Sequence, residues 1–305
     1  MNVLIVGAGV VGTVYGAHLV AAGHEIQVLS HPPRTDDIRI AGLTARDVLD
    51  GSTIQADVSV LADPASTAFD LVLVCVRGDQ LRVARDQLAG LAGSPTVVFF
   101  GNNPDGRSAI GTAVPGAVML GFPGIGGVLR DGTAEYVRIK PQPTALQVGD
   151  DARLAEFAQA LSGRGFAVQR VADMDGWLVY HAAFVACIAA ALYRCGTDPG
   201  RLAADRATLK LMCAAVTEAF GALRDAGVAG LPRNLATLHH RLLKPVALGY
   251  WTRTMRSRLG ELYFAAHCRH AEAEMRALGD RVIGLVDAPG AGHLRQLLGA
   301  PASRL

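Results

Sequence analysis

The hydrophobic pattern of the first thirty residues predicts a strand, a glycine turn, a helix and a second strand. An apolar run over residues 1–5 leads into the sequence Val-Gly-Ala-Gly-Val-Val-Gly at residues 6–12, and a stretch with helical amphipathic composition follows at 13–23. Residues 24–29, His-Glu-Ile-Gln-Val-Leu, predict the second strand. A G-x-G-x-x-G motif between a strand and a helix is typical of dinucleotide-binding domains, whereas isolated glycines are a weak signal.

Each glycine of this motif has a physical reason to be there. Gly7 can adopt backbone angles closed to other residues, Gly9 lets a pyrophosphate approach the main chain, and Gly12 lets the helix pack on the strand. The N–H groups of the first helical turn, which includes Val10 and Val11, then face the phosphates. The alternative is a glycine-rich turn in another kind of α/β protein.

The end of the second strand indicates which dinucleotide binds. NAD enzymes usually carry an acidic residue there to hold the ribose 2′-hydroxyl. Here Ser30 and His31 follow the strand, Arg34 comes soon after, and Asp36 is the first acidic residue. Because guanidinium suits phosphate geometry, this composition favours NADP. The alternative for Arg34 is a solvated loop residue.

Two further apolar runs, at residues 69–76 and 95–100, predict strands buried on both faces of a parallel sheet. Polar groups just beyond the carboxyl ends of such strands lie where open α/β sheets bind ligands. Turn formation and helix capping are alternative roles for these groups. The candidates by position are Arg77, Gln80, Asn102 and Asn103.

The rest of the chain divides into two parts. Residues 134–139 and 145–149 predict antiparallel strands that close the sheet, and residues 150–163 and 166–171 predict a helix and a last strand. From residue 173 the sequence is almost wholly helical, rich in alanine and apolar. We therefore predict an α/β protein in which a Rossmann-type parallel sheet domain, 1–171, precedes an all-helical domain, 172–305. The active site is expected in the cleft between them.

Composition narrows the functional classes. The 305 residues include 29 basic and 27 acidic side chains, which gives a net charge of +2. A net charge this small does not indicate binding to nucleic acid or to an anionic membrane. The most apolar stretch, 182–192, is shorter than the ~20 residues that cross a bilayer. The five cysteines are scattered and predict reduced thiols in a cytoplasmic protein, with no metal site. These features favour a small-molecule substrate.

The motifs together resemble those of the ketopantoate reductases. They are the glycine fingerprint at 6–12, the Val76-Arg77 step, Asn102 at a strand end, and Trp177 at the start of an all-helical second half. The resemblance implies a helical domain like that of 6-phosphogluconate dehydrogenase. It also implies an NADPH-dependent reduction of a 2-keto acid, with hydride passing to the ketone carbon.

The resemblance also assigns roles to individual residues near the cofactor. Gly7, Gly9 and Gly12 match the cofactor loop, and Asn102 matches the asparagine that contacts cofactor and substrate. Arg77 stands where the family usually has lysine. His31 takes the place of the usual 2′-phosphate arginine, with Arg34 three residues on as its substitute.

The helix after the domain junction departs from the family. There the family carries a lysine two residues beyond the tryptophan, with asparagines four and eight residues later. This chain has Val179, Ala183 and Cys187 at those positions, and neighbouring registers restore no polar face. Because carbonyl reduction needs a proton donor or a cation at the forming alkoxide, we expect a substrate other than ketopantoate.

Other residues are candidates for the missing proton donor and substrate ligand. Tyr180 and His181 carry the nearest transferable protons, and an ordinary histidine titrates in the useful range. A histidine on an apolar helix is alternatively a core residue. Glu261 matches the family's substrate-binding glutamate. Pairs of Glu274 with His267 or His270, seven or four residues apart, are alternatively solvated or interhelical contacts.

Three functions remain open at this point. The first is an NADP-dependent oxidoreductase acting on a small carbonyl, imine or hydroxy compound other than ketopantoate. The second is a protein that binds the nucleotide without redox chemistry, as a sensor or assembly partner. The third is a genuine 2-dehydropantoate 2-reductase with a lysine delivered from elsewhere, such as Lys244. The apolar helical half could also bury a homodimer interface.

Overall fold

The computed structural model describes residues 1–110, 114–240, 243–286 and 291–299. The chain forms two compact units. The first contains Met1–Gly101 and Asp105–Met174, and the second contains Asn102–Pro104 and the chain from Asp175 onward. The junction therefore lies three residues beyond the sequence-based division at 171/172. In addition, a short segment after a strand of the first unit groups with the second unit.

An eight-stranded sheet organises the first unit. Its strand order is β12-β11-β8-β7-β6-β1-β2-β5, and all neighbours are parallel except β11 with β8. The strands are β1 Asn2–Val6, β2 Glu25–Leu29, β5 Ser59–Val60, β6 Leu71–Val74, β7 Thr96–Phe100, β8 Ala117–Phe122, β11 Thr144–Gln147 and β12 Val168–Val171. The chain runs outward from β1 to β2 and β5, then returns to β6 on the other side of β1. This reversal opens the crevice in which such sheets bind ligands.

A second sheet of four strands lies apart from the first. Its order is β4-β3-β10-β9. The strands are β3 Leu43–Asp47, β4 Thr53–Ala56, β9 Ile125–Arg130 and β10 Thr133–Arg138. The expectation that residues 134–139 close the main sheet is therefore wrong, because β10 pairs with β9 and β3 instead. Only β11 adds to the main sheet as predicted, antiparallel to β8.

Four helices accompany these sheets. They are α1 Val10–Val20, α2 Arg34–Ala41, α3 Leu81–Leu88 and α4 Ala152–Gly163. Every residue of α1 from Gly12 to Leu19 is buried, because the helix packs against β1 and β2 and also against β3, β9 and β10. The helix α2 was not predicted, since its sequence is mostly polar; Asp36 and Asp37 in its first turn suit the helix dipole.

The buried imidazole of His18 ties α1 to the second sheet. Its Nε2 lies 2.9 Å from the hydroxyl of Tyr136, and Arg164 donates from Nε to its Nδ1 at 3.5 Å. Burial lowers the pKa of His18 to about 4, and the charges of Arg164 and Arg138 act in the same direction. His18 is therefore neutral at physiological pH.

Within the described residues, helices build the second unit. They are α5 Met174–Arg194, α6 Pro199–Ala204, α7 Arg206–Asp225, α8 Arg233–Leu238, α9 Lys244–Arg256, α10 Ala266–His270, α11 Glu272–Leu285 and α12 Gly292–Leu298. A π-helical segment, Gly260–Ala265, precedes α10. One apolar core gathers α5, α7, α9, α11 and α12 around side chains such as Phe220 and Trp251.

The length of α5 corrects one step of the sequence-based reasoning. The apolar stretch 182–192 is only part of this 21-residue helix, which is long and apolar enough to cross a membrane. However, 78% of its most apolar window is buried inside the protein. That burial is typical of the core helix of a folded domain.

We predict that acid weakens the first unit through His18. Its folded pKa lies below the unfolded value of about 6.5, so the unfolded chain takes up the proton first. The contribution is present above about pH 6.5 and is lost as the pH falls towards 4. Between about pH 7 and pH 5 the loss is about 2 kcal/mol.

Hydrogen exchange of the amides in β1 and α1 measures this loss within the first unit. At each pH, His18→Gln is compared with the unmodified chain. We expect a smaller decrease in opening free energy for the variant. Identical pH dependence of the two proteins would contradict the assignment.

Candidate functional site

The turn after β1 has room for glycine alone at two positions. Gly7 has φ +88°, and a Cβ on it would lie 2.8 Å from Val76 Cγ1 and 2.9 Å from the Cys75 carbonyl oxygen. A Cβ on Gly12 would lie 2.1 Å from the Gly7 carbonyl oxygen. The first turn of α1 thus rests directly on the end of β1, with the chain after β6 against its other side.

Gly9 differs from these two residues. Its backbone angles are φ −70° and ψ −159°, and no atom lies within 4 Å of where its Cβ would be. Gly9 is exposed, so this side of the turn is open to a ligand. The fold itself therefore leaves room for a side chain at Gly9.

The amino terminus of α1 suits an anion. Gly9 is the N-cap and supplies no side-chain hydrogen bond, and the first turn contains no acidic residue. The first N–H groups of a helix have no intrahelical partner, and the helix dipole places positive potential there. Val10 and Val11 are partly exposed, which leaves their backbone within reach. This arrangement fits the pyrophosphate of a dinucleotide.

Arg34 is in an unexpected place. Its guanidinium is buried, and it donates from Nε to the Ala8 carbonyl at 2.9 Å and from Nη2 to Thr13 Oγ1 at 3.0 Å. Nη1 donates to the Gly132 carbonyl at 3.0 Å. The alternative of a solvated loop residue is therefore wrong. The prediction that Arg34 binds a 2′-phosphate is not supported by this orientation, because its donors point beneath the glycine turn.

The groups that follow β2 remain accessible. His31 is exposed and Ser30 is half-buried, with the Ser30 carbonyl accepting a hydrogen bond from Thr35 Oγ1 at 2.9 Å. No acidic residue stands at the end of β2; the first acids, Asp36 and Asp37, are exposed on α2. A role for His31 at the 2′ position stays a prediction.

Two of the predicted polar residues follow the neighbouring strands. Arg77, after β6, is exposed, and its Nε lies 3.3 Å from Asp79. Asn102, after β7, donates from Nδ2 to Glu274 Oε1 at 3.4 Å. Neither contact tests the predicted roles of Arg77 and Asn102 at the cofactor.

Glu274 was not among the predicted site residues, although its spacing from His267 indicated a pair. Its side chain is only 9% exposed, and Oε2 lies 3.9 Å from His267 Nε2. Glu274 Oε2 and Asn102 Oδ1 are both buried and have no hydrogen-bond partner. Two unsatisfied acceptors side by side are costly in a folded protein unless a donor binds there.

Tyr180 and His181, the two predicted proton donors on α5, are placed unfavourably for proton transfer to a substrate. Tyr180 is buried and donates its hydroxyl proton to the Val228 carbonyl at 2.9 Å, and burial raises its pKa. His181 stacks on Trp177, with ring centroids 4.9 Å apart, and burial lowers its pKa to about 3. The expectation that His181 titrates near neutral pH is therefore wrong.

The remaining candidate residues are Glu261 and Lys244. Glu261 accepts hydrogen bonds from Arg269, including one of 2.8 Å from Nη2, and this pairing lowers the pKa of Glu261. The pair is largely exposed, which does not favour a substrate-binding role. Lys244 is exposed at the start of α9. On α5, Val179 is half-buried, and Ala183 and Cys187 are buried among apolar side chains.

The cysteines and the metal-binding side chains show no second centre. All five cysteines are free, and burial raises the pKa of Cys75 to about 12. Within the described parts of the chain, no three His, Cys, Asp or Glu side chains are grouped to hold a metal ion.

A family model matches most of the first unit. The model described as ketopantoate reductase PanE/ApbA matches residues 3–150. The glycine turn, β6 and the strand end at Asn102 all lie within the matched residues. No curated protein matches the sequence significantly.

Solved structures resemble the whole chain. A probable 2-dehydropantoate 2-reductase from Bacillus subtilis has a TM-score of 0.71 at 18% identity, with 98% of each chain covered. A 2-dehydropantoate 2-reductase from Geobacter metallireducens has a TM-score of 0.77 at 14% identity, also with 98% of each chain covered. D-mandelate dehydrogenase in a ternary structure with NADH and anilino(oxo)acetate has a TM-score of 0.74 at 15% identity, with 98% of this chain and 97% of that chain covered. These likenesses establish a shared fold.

We predict that Gly9→Ala separates ligand binding from folding. The added methyl group meets no protein atom, so stability should change by less than about 1 kcal/mol. It would occupy space that a pyrophosphate needs, and the Kd for NADPH should rise roughly tenfold or more. Fluorescence titration of NADPH and thermal unfolding measure the two effects.

Two further glycine variants serve as controls for Gly9→Ala. Gly163→Ala, at the end of α4, also adds a methyl group in open space and should leave NADPH affinity unchanged. Gly12→Ala forces the methyl group against the Gly7 carbonyl and should cost at least about 1–3 kcal/mol of stability. Normal NADPH affinity in Gly9→Ala would refute the placement of the phosphates.

Proposed function

We propose that this chain is an NADP-dependent oxidoreductase that reduces a small 2-oxo acid, or a related imine, other than ketopantoate. The observation that carries the proposal is the open glycine turn at the amino terminus of α1, within the residues that the PanE/ApbA family model matches. The Geobacter metallireducens neighbour is a 2-dehydropantoate 2-reductase, and the other dehydrogenase neighbour was solved with NADH and anilino(oxo)acetate, a 2-oxo acid derivative. The names of both enzymes support carbonyl–hydroxyl chemistry.

The preference for NADP rests on the region after β2. An NAD enzyme usually places a carboxylate there, and this chain has Ser30 and the exposed His31 instead. A missing carboxylate removes the repulsion that a 2′-phosphate would meet. The structure of D-mandelate dehydrogenase contains NADH, so NADPH and NADH are both tested with the substrate panel described below.

The substrate site is proposed at Asn102 and Glu274. Asn102 follows β7, and parallel strands of this kind present their carboxyl ends to ligands. Two buried acceptors lack hydrogen-bond partners, Asn102 Oδ1 and Glu274 Oε2, and they suit a ligand that donates hydrogen bonds. A hydroxyl, amine or iminium group on the substrate satisfies this need.

His267 is the proposed source of the proton. When bound, the nicotinamide supplies a hydride to the carbonyl or imine carbon. The oxygen or nitrogen then takes up a proton. His267 Nε2 lies 3.9 Å from Glu274 Oε2, which brings an imidazole close to the proposed substrate site. Neither Tyr180 nor His181 is retained as the donor, because the first is bonded to a carbonyl and the second is neutral.

A non-catalytic nucleotide-binding protein is the second candidate. The apolar positions Val179, Ala183 and Cys187 on α5 favour it, since a reductase would need some other group to protonate its product. The experiment is a panel of 2-oxo acids, ketopantoate, aromatic oxoacetates and cyclic imines, with NADPH and NADH oxidation followed by absorbance. Turnover of a panel member other than ketopantoate supports the reductase. NADPH binding without turnover of any member favours the second candidate.

We predict that Glu274→Gln weakens substrate binding while leaving cofactor binding intact. On the best substrate of the panel, KM should rise roughly ten- to a hundredfold, because an acceptor for a buried donor is lost. The Kd for NADPH should stay within about twofold. Steady-state kinetics and titration provide the two readouts.

Glu272→Gln is the matched control. Glu272 lies on the same helix, α11, but it is exposed and pairs with Arg276. Its removal should leave KM unchanged. Equal kinetics for the two variants would exclude Glu274 from the substrate site.

A further inference from the structure

Arg34 joins three separate segments of the first unit. It is the first residue of α2, and its side chain bonds to the glycine turn at Ala8, to α1 at Thr13, and to the β9–β10 turn at Gly132. Asp37, its nearby acidic partner, is half-exposed and 3.9 Å away. The guanidinium is therefore held mainly by neutral acceptors, and two of these belong to the turn and helix that face the proposed ligand.

The Ala8 carbonyl receives two of the hydrogen bonds in this group. Arg34 Nε donates to it at 2.9 Å, and Thr13 Oγ1 donates at 3.1 Å. In a planar trans peptide, the carbonyl oxygen and the N–H of the next residue point in opposite directions. Holding the Ala8 oxygen towards the interior thus turns the N–H of Gly9 towards the open side of the turn.

This geometry separates Arg34 from recognition of the ribose. Three of its five N–H groups are bonded beneath the turn, and the residue is only 9% exposed. To reach a 2′-phosphate, the side chain would have to give up all three of these hydrogen bonds. The 2′-phosphate is present in NADP and absent in NAD, whereas the pyrophosphate is common to both.

We infer that Arg34 is a positioning residue that, with Thr13, orients the Ala8–Gly9 peptide for the pyrophosphate. It acts equally on NADPH and NADH. This inference rests on the proposed function, because it requires that a nicotinamide dinucleotide binds at the turn. The inference therefore states that Arg34, although it follows β2, does not determine the preference between NADP and NAD.

The test is the effect of Arg34→Met on the dissociation constants of both reduced cofactors, measured by fluorescence titration of the full chain. We expect both constants to rise by the same factor, roughly tenfold, with their ratio unchanged. Arg39→Met is the matched control, because Arg39 lies on the same helix and is exposed beside Asp36. It should leave both constants unchanged.

Thr13 provides a second pair of variants that keeps the inference testable if Arg34→Met does not fold. Thr13→Val removes the hydroxyl at nearly the same volume, and both constants should rise together by several-fold. Thr13→Ser should restore most of the lost affinity, because it keeps the hydroxyl.

Three outcomes would overturn the inference, and a fourth would contradict the proposed function. A rise confined to NADPH would make Arg34 a 2′-phosphate ligand. A lower melting temperature with unchanged dissociation constants would make its role merely structural. If Thr13→Val and Thr13→Ser bound the cofactors with equal affinity, the Thr13 hydroxyl would have no part in orienting the Ala8–Gly9 peptide. If the unmodified chain bound neither cofactor, the proposed function itself would fail, which the wild-type titration shows separately.

Discussion

The close approach of α1 to the end of β1 is the constraint on which the structure of the first unit depends. At Gly12 a side chain would come within 2.1 Å of the Gly7 carbonyl oxygen, and at Gly7 it would meet the chain after β6. Because both positions are glycine, the helix begins directly above the strand. Its amino terminus therefore points to the crevice where the strand order reverses. The anion-binding character of the turn follows from this path of the backbone.

Buried polar groups in the first unit hold this helix in position. Arg34 and Thr13 bond the turn from below, while His18 and Tyr136 attach the middle of α1 to the second sheet. Each group is buried and hydrogen-bonded, as polar groups in a protein interior usually are. The second sheet thus supports α1 rather than extending the first sheet.

Short-range patterns in the sequence predicted much of this arrangement. The glycine motif and the buried strands depend on neighbouring residues, as does the turn at Asp131 and Gly132 between β9 and β10. Long-range contacts were not predictable in the same way. The sheet that β10 joins depends on its pairing with β3, some ninety residues earlier in the chain. The direction of Arg34 depends on a carbonyl in that same distant turn.

The expectation that His181 titrates near neutral pH was wrong for a related reason. The sequence shows that His181 is on an apolar helix, but only the fold shows that its imidazole stacks on Trp177 and is too buried to hold a proton. The sequence comparison correctly placed Val179, Ala183 and Cys187 on a helix that lacks the expected polar side chains. Polar groups appear instead where Asn102 meets Glu274, a contact between residues far apart in the sequence. The chain therefore combines a glycine turn within the matched residues with an α5 that lacks the polar side chains expected from the resemblance.

Calorimetric titration of the unmodified chain with NADPH, and separately with NADH, tests the central claim most directly. The claim is that the turn between β1 and α1 binds a nicotinamide dinucleotide. We predict saturable binding of one molecule per chain for at least one of the two cofactors, with NADPH the tighter. Absence of binding heat with both, at several temperatures and on protein that unfolds cooperatively, would contradict the claim.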